Sequence, residues 1–428
     1  MNRKSETTRP RWALAATALA TALVCALPAE AAEVLKFWTF LATQGTDPRS
    51  TALREVVEGF NKSQSKWEVQ VESVNFARID NVVIQSTAAG QGPDILNVYS
   101  DQLAMHVAAK TVKPLDSLLG PDWAKEAKDF AVSPEFFRFG GAQMAIPWEA
   151  RVWLLWYRKD LLDAAGFGVP KTVDELKAVG AKITTDAAMG FGFGASTAAL
   201  GAGAVEAFIP LYWGAGGKLF DASGKTLIAG EAGVKTLTLM RDLVASGAMK
   251  KTVAAMSVED ALTSVKAGTL SMTLMGSFRV GAARASATTE KTLLTAPVPG
   301  WTKDAPSPAR IAGQTLTIGA NTKHADGALA FIRWYTSPAS QVAFAKAGVM
   351  PSRLATYESD EMKKLGNYAE LRGWADYLHA HGRMEATPAD FPKLSAAIAT
   401  AMQRVIVQGA DPKAALDEAA AAYNDQRG

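Results

Sequence analysis

A stretch near the middle of the chain contains residue types that either hold a ligand or fill a core. Residues 146–162 read IPWEARVWLLWYRKDLL and place three tryptophans and a tyrosine within ten positions, among arginines and a glutamate. Residues 152–157 are all apolar or aromatic, as in a central strand that is covered on both faces. This pattern predicts that Trp153, Trp156 and Tyr157 belong to the core.

The four histidines form no motif of a metal site or a catalytic centre. His379 and His381 are two positions apart, so on a helix their side chains point about 200° apart and do not share a metal ion. The sequence contains no HExxH motif, no GxSxG motif and no phosphate-binding P-loop. We therefore predict a protein that is not an enzyme and has no catalytic residue, metal or cofactor.

The N-terminus has the pattern of a secretory signal peptide. Four basic residues precede an apolar segment, 13–27, which is shorter than the about 20 residues of a membrane span. Ala29 and Ala31 give the small-x-small pattern of a cleavage site, which predicts a leader over 1–31. Cys25 lies in the apolar segment, and the residue before it is valine rather than a small residue. Lipoprotein anchoring through Cys25 is the less favoured interpretation.

The charge and cysteine content of the mature chain exclude several classes of partner. Removal of the leader takes four of the 45 basic and two of the 42 acidic residues, which leaves a net charge near +1. This balance gives no electrostatic reason to expect nucleic acid or an anionic membrane as a partner. The only cysteine leaves with the leader, so no disulfide is expected. A mature chain of this length predicts two domains.

Apolar periodicity and helix caps predict an α/β fold. Segments 34–40, 66–74 and 94–99 have the pattern of strands, and a helix with Asp47 as N-cap and Pro48 as its first residue separates the first two. Further helices are predicted from Asp160 and after Thr172 (with Glu175 in capping-box spacing). Near 325–348, Ser337-Pro338 starts a second helix, and a terminal helix over 411–423 has Asp411 as N-cap and Pro412 as its first residue. The Gly/Ala-rich stretch 190–204 is the most linker-like segment. Alternating strands and helices predict a sheet with helices on its faces.

Five stretches together resemble the extracellular solute-binding proteins of ABC importers, in the large sugar-binding family that includes maltose-binding protein. The similar stretches are FWTF (37–40), AAGQGPDILNVYSDQ (88–102), the region 146–176 from IPWEA to TVDEL, KAGTLSMTLMGSFR (266–279) and GQTLTIGANTKHADGALAFIRWYTSP (313–338). Four positions depart from the family's pattern. They are Arg158 for asparagine, Val173 for tryptophan, Phe278 for tryptophan, and Arg279 where a small or apolar residue is common.

The resemblance implies a two-lobed periplasmic-binding-protein fold with discontinuous α/β lobes joined by crossing hinge strands. The first lobe would comprise 32–148 plus 313–350, and the second 149–312 plus 351–428. A di- or oligosaccharide would bind in the cleft between the lobes, which would close by hinge bending. The protein would be a periplasmic monomer that delivers its ligand to the membrane permease of an ABC importer.

The resemblance also places candidate ligand contacts around the cleft. A pyranose presents an apolar face that stacks on aromatic rings and hydroxyl groups that need donors and acceptors. Trp148 and Glu149, directly after Pro147, are expected at the crossover, with Asp101 as the best acceptor of the first lobe. The full set of predicted contacts is Phe40, Thr43, Tyr99, Ser100, Asp101, Trp148, Glu149, Trp213, Gly276, Ser277, Phe278, Arg279, Gln314, Arg353 and Trp374, with Tyr212 and Trp301 as further candidates.

Two alternatives stay open at this point. Arg279, with Arg151 and Arg353 as helpers, could hold the phosphate or sulfonate group of an anionic sugar or glycerol conjugate. Arginines at such positions also form salt bridges, which is the favoured interpretation. A secreted carbohydrate-active enzyme is the second alternative, because spacing along a chain does not exclude a pair of carboxylates that meet in space.

Overall fold

The computed structural model describes residues 1–2 and 32–425, so most of the predicted signal peptide, with Cys25, lies outside the described residues. Strands make up the centre of the described part. They are β1 (Glu33–Thr39), β2 (Trp67–Ser73), β3 (Ile95–Tyr99), β4 (Arg138–Phe139), β5 (Ala142–Gln143), β6 (Ile146–Arg158), β7 (Met189–Gly192), β8 (Leu270–Gly276), β9 (Leu293–Ala296), β10 (Ala309–Ile318), β11 (Met350–Pro351) and β12 (Gly382–Arg383).

Helices cover the faces of these strands. They are α1 (Pro48–Ser63), α2 (Ile79–Ala88), α3 (Leu103–Ala108), α4 (Asp116–Leu119), α5 (Trp123–Glu126), α6 (Lys159–Ala164), α7 (Val173–Ile183), α8 (Ala202–Gly214), α9 (Glu231–Ala245), α10 (Val258–Ala267), α11 (Val280–Ala283), α12 (Ala287–Thr292), α13 (Ala325–Tyr335), α14 (Pro338–Lys346), α15 (Leu354–Glu358), α16 (Asp360–Lys363), α17 (Tyr368–His381), α18 (Phe391–Gln403) and α19 (Pro412–Asn424).

Two strands run through both lobes of the molecule. The strand order is β2-β1-β3-β10-β6-β8-β7, and β9 and β11 pair with β6. The first part of β6 pairs antiparallel with β10, and β10 pairs in turn with β3 of the first lobe. From Trp153 onward β6 pairs instead with β8 and β9 of the second lobe. The chain therefore forms two α/β lobes that share β6 and β10 as crossing strands.

The C-terminal helices complete the second lobe. Helix α18 packs on α8, and α19 packs on α9 and α18. Helices α13 and α14 pack with α1, and all three contribute apolar side chains to the core of the first lobe. Each lobe is thus built from segments that are far apart in the sequence, as the resemblance predicted.

The predicted helix caps of α1, α14 and α19 are confirmed. The carboxylate of Asp47 accepts hydrogen bonds from the backbone N–H groups at the start of α1. The Ser337 hydroxyl caps α14, and Asp411 caps α19. The capping box of α7 is only half formed: Thr172 accepts from the Glu175 N–H, whereas the Glu175 carboxylate accepts from Lys171.

The Gly/Ala-rich stretch 190–204 is not a linker. It contains most of β7, a 3-10 turn and the start of α8, and its residues 190–195 are buried in the second lobe. A Cβ on Gly190 would lie 2.1 Å from the carbonyl oxygen of Gly180, and one on Gly194 would lie 2.7 Å from the backbone nitrogen of Val258. The glycines are present because backbone segments approach one another closely here, which composition alone does not distinguish from flexibility.

Candidate functional site

The alternation of β6 decides which of its side chains face the space between the lobes. Successive side chains of a strand point to opposite faces. Glu149, Arg151 and Trp153 share the face toward this space. Trp148 lies at a register shift between β6 and β10 and is 1 % exposed, with its ring against Tyr335 and its indole N–H donating to Asn97 of the first lobe. The structure therefore brings Glu149, but not Trp148, to the inter-lobe surface.

Glu149 joins arginines from two different elements. One carboxylate oxygen accepts from Arg49 of α1 at 2.9 Å, and both oxygens accept from Arg151 at 2.9 and 3.0 Å. Burial would raise the pKa of Glu149, but the two guanidinium groups outweigh it and lower the pKa. Glu149 thus stays ionised, and it fixes the orientation of both arginines.

Arg151 lies between aromatic rings of the two lobes. Its guanidinium carbon is 4.1 Å from the ring centre of Phe278, which follows β8, and 5.5 Å from that of Tyr99 at the end of β3. Such cation–π contacts are attractive, and more so when they are shielded from water. Arg151 therefore links the first lobe to the second across the cleft.

Arg310, on the other crossing strand, forms a second link. Its guanidinium group donates to the Asp101 carboxylate at 2.5 Å and lies 4.5 Å from the ring centre of Trp153. Burial lowers the pKa of Arg310, but Asp101 and neighbouring groups raise it by more. Asp101, the predicted acceptor of the first lobe, is consequently held in place by a charge-assisted hydrogen bond.

Several polar side chains in this region have buried atoms without a hydrogen-bond partner, and Gln314 and Glu206 are the two without a positive charge or an aromatic ring. Gln314 of β10 is 1 % exposed, and neither its amide nitrogen nor its oxygen is bonded. Glu206 of α8 has one such carboxylate oxygen. Burial raises the pKa of Glu206, against the opposing influence of Trp153 and of Arg310, Arg279 and Arg151.

An aromatic cluster lines the first-lobe side of the space. The rings of Phe40 and Phe76 meet edge to face with centres 5.5 Å apart, and Phe76 meets Tyr99 in the same way at 6.3 Å. Phe76 is 50 % exposed, and Arg49 lies over the ring of Phe40. Aromatic rings and buried hydrogen-bonding groups thus occur side by side between the lobes.

The remaining predicted residues near β8 and β3 contact backbone groups or neighbouring side chains. Ser277 accepts a hydrogen bond from the Val152 N–H, and Ser100 from the Gly313 N–H. A Cβ on Gly276 would lie 2.4 Å from the Phe278 ring. Arg279 forms an ion pair with Glu259 at 2.5 Å.

The residues described so far form an inter-lobe constellation, which comprises Phe40, Arg49, Phe76, Tyr99, Asp101, Glu149, Arg151, Trp153, Glu206, Phe278, Arg279, Arg310 and Gln314. Other predicted residues lie outside this constellation. Trp374 donates to Thr295 beside the ring of Trp156, in the second lobe. Arg353 pairs with Asp129 at 2.7 Å. Three further candidates have contacts of their own: the Thr43 carbonyl accepts from Arg54, Trp213 lies buried under Arg383, and the Trp301 N–H donates to Leu211. Tyr212 donates to the Lys218 carbonyl and stacks on Phe208.

Residues 43–342 match the family of bacterial extracellular solute-binding proteins. The chain belongs to this family. Among its relatives, the diacetylchitobiose binding protein DasA of Streptomyces coelicolor is 26% identical over 76% of this chain and 74% of that protein. A probable amino-acid ABC transporter periplasmic-binding protein of Sinorhizobium fredii is 23% identical over 69% of each chain.

Solved structures of similar proteins support the two-lobed fold of this solute-binding protein. The GacH receptor of Streptomyces glaucescens, determined unliganded and with acarbose, is 24% identical with a TM-score of 0.76; the match covers 92% of this chain and 98% of that one. The cyclic α-maltosyl-1,6-maltose binding protein of Arthrobacter globiformis is 22% identical with a TM-score of 0.78, over 92% and 98% of the two chains.

Sequence reasoning missed four residues of the inter-lobe constellation of this solute-binding protein: Arg49, Phe76, Glu206 and Arg310. Glu206 had a signal, because it is the only charged residue in the helix sequence AGAVEAFIPLYWG. Arg310 is four positions before Gln314 and so shares its face of β10. Arg49 and Phe76 reach the site from a helix and a loop through the tertiary fold, and no local pattern marks them.

Two kinds of feature are absent from the described residues. No group of three or more His, Cys, Asp or Glu side chains in the described part of the chain is arranged to hold a metal ion. Within residues 1–2 and 32–425, no helix combines the length and the apolar character needed to cross a bilayer.

Proposed function

We propose that this protein is the periplasmic component of an ABC importer and binds a neutral di- or oligosaccharide, or a glycoside, between its lobes. Family membership supports the importer role. The names of several relatives include diacetylchitobiose, maltose and acarbose, which supports a carbohydrate ligand. The permease subunits of the importer are the proposed partner, and the lobe boundaries predicted from sequence are part of the same proposal.

The buried side chain of Gln314 carries the proposal for the site. Its amide has two donor hydrogens and an acceptor oxygen, and neither end is hydrogen-bonded although the residue is 1 % exposed. An unsatisfied buried polar group costs about 1–3 kcal/mol. Because Gln314 lies beside Glu149 of β6 and Tyr99 of β3 in the sheet, a ligand between the lobes is in position to satisfy it. Sugar hydroxyl groups both donate and accept, as this amide requires.

The pairing of charges favours a neutral ligand over an anionic conjugate. Four arginines lie around the space, and each guanidinium group already has a carboxylate partner. An anion would have to compete with these internal partners, whereas hydroxyl groups bind at their remaining donors. The ion pairs are Arg49–Glu149, Arg151–Glu149, Arg310–Asp101 and Arg279–Glu259.

The same pairing supports a binding protein rather than an enzyme. Glycoside hydrolysis needs one carboxyl group as an acid and another as a base or nucleophile. Glu149 is fixed between two arginines and Asp101 is bound to Arg310, so both carboxylates are held as acceptors. Glu206, whose pKa is raised by burial, is then left without the second carboxyl group that the reaction needs. We propose that the lobes close over the ligand and that the closed form delivers it to the permease.

A titration of the mature protein tests the proposal. Tryptophan fluorescence would be followed during addition of mono-, di- and oligosaccharides and of sugar and glycerol phosphates, with calorimetry on every response. We expect saturation by a neutral di- or oligosaccharide at micromolar concentration, which corresponds to about 8 kcal/mol. A response to the anionic conjugates alone would contradict the neutral site, and release of new reducing ends would contradict a pure binding function.

A further inference from the structure

Phe76 differs from the other aromatic residues between the lobes because no cationic side chain covers its ring. A guanidinium group lies over Phe40, Tyr99, Trp153 and Phe278, in the last case from both Arg151 and Arg279. Among the described residues no arginine or lysine lies over Phe76, and Phe76 is half exposed. A sugar face that stacks on an aromatic ring needs such an uncovered surface.

The ring of Phe76 is nevertheless held in a defined orientation. Its edge-to-face contacts with Phe40 and Tyr99 fix it from two sides. The loop that carries it is also ordered, because the Asn75 side chain accepts from the Ala77 N–H at 3.0 Å and the Asn75 carbonyl accepts from the N–H groups of Arg78 and Ile79. A preorganised ring loses little conformational freedom when a ligand binds to it.

Phe76 lies at the outer end of the constellation. Tyr99 separates it from the buried polar groups: Phe76 contacts Tyr99, which pairs in the sheet with Gln314 and contacts Arg151. A sugar ring that satisfies Gln314 therefore leaves the Phe76 surface to the next ring of the same ligand.

We propose that Phe76 is a specificity-determining residue that stacks on the second sugar ring, so that the site selects disaccharides and longer ligands over monosaccharides. This inference rests on the proposed function and adds to it the residue that determines the length of the ligand. The inner ring is bound by the buried polar groups, and the second ring by the exposed aromatic face.

Calorimetry on the mature protein tests this with maltose and diacetylchitobiose, and with glucose and N-acetylglucosamine as the matching monosaccharides. Phe76→Ala is expected to weaken binding of the preferred disaccharide at least tenfold and to change binding of its monosaccharide less than twofold. Phe76→Tyr keeps the aromatic face and is expected to retain the affinity. Phe136→Ala, at a residue that is 42 % exposed, is the matched control and should change neither.

The outcomes separate this inference from the function on which it rests. Disaccharide binding that is unchanged in Phe76→Ala would overturn the inference alone. An equal loss for both sugars would also overturn it, because Phe76 would then act on the first ring or on closure. If the wild-type protein binds no carbohydrate, the proposed function fails and the inference with it. Circular dichroism of the variants excludes misfolding as the cause of a loss.

Discussion

At the scale of single residues, the carboxylate of Glu149 fixes the positions of Arg49 and Arg151 in the proposed binding site. It is completely buried at its side chain, and both oxygens are engaged by arginines. Such an arrangement is not in itself a source of stability, because burying three charges costs as much as their attraction returns. Removing one partner is different, since it leaves the other charges buried and uncompensated.

Glu149→Gln is expected to lower the free energy of unfolding by about 3 kcal/mol, since Arg49 and Arg151 both lose their carboxylate. Urea unfolding measures the change, and Glu58→Gln, which breaks an exposed i,i+4 pair with Lys62, should change it by less than about 0.5 kcal/mol. Because folding lowers the pKa of Glu149, the wild-type advantage is present above the ordinary glutamate pKa of about 4.3 and is lost as the pH falls through the folded pKa. An advantage that grew in acid would contradict this account.

Arg279→Ala separates a neutral ligand from an anionic one. Arg279 is paired with Glu259 and covers Phe278, so a neutral sugar is expected to lose less than about fivefold in affinity, or about 1 kcal/mol. A site for a phosphate or sulfonate would lose most of its affinity, because charge-assisted hydrogen bonds to the anion would be removed. Calorimetry with the best neutral sugar and with its phosphate decides between the two.

The sequence predicts residues at this scale only as far as its local pattern allows. Trp148 and Glu149 are adjacent in β6, and a strict period of two would have assigned only one of them to the cleft; the register shift of β6 against β10 at Trp148 has no sequence signal. The pattern does not say which one. That choice is made by β10 and by the aromatic core of the first lobe around Tyr335, which are far away in the sequence.

At the scale of elements, the helices were the most predictable part. Asp47, Ser337 and Asp411 cap helices because their side chains satisfy nearby backbone N–H groups, and such signals are local. The prediction that 190–204 is the most linker-like segment was wrong because the deciding contacts are not local. Its glycines are fixed by the approach of α7 and α10, which no local signal reveals.

Gly190→Ala tests this close approach. The new methyl group would clash with the Gly180 carbonyl oxygen, 2.1 Å away, and this backbone cannot move without shifting α7 against β7. We therefore expect a loss of about 1–3 kcal/mol in the free energy of unfolding. Gly168→Ala is the matched control, because nothing lies within 4 Å of its added Cβ. Equal stability of the two variants in urea would show that the stretch tolerates side chains as a linker would.

At the scale of the whole molecule, the two lobes share β6 and β10, and the proposed ligand site lies where the lobes meet. The family resemblance predicted these crossing strands, whereas the periodicity of the sequence predicted only an α/β sheet. Strand order and inter-lobe contacts depend on pairings between distant segments, and Arg151 and Arg310 receive their roles from those pairings. Both arginines lie on crossing strands and contact groups of both lobes, so they connect the crossing strands to the proposed site.

Phe278→Leu tests whether these contacts hold the lobes together. It removes the second-lobe ring over Arg151 but leaves Arg151 paired with Glu149. A cation–π contact contributes about 0.5–2 kcal/mol, so the equilibrium between closed and open forms should shift toward the open form by about two- to thirtyfold. Small-angle scattering should then show a larger radius of gyration for the ligand-free variant, and saturating sugar should restore compaction because ligand contacts add to closure. Phe136→Leu should scatter like the wild type. A ligand-free Phe278→Leu protein as compact as the wild type would mean that the arginine–aromatic contacts follow closure rather than stabilise it.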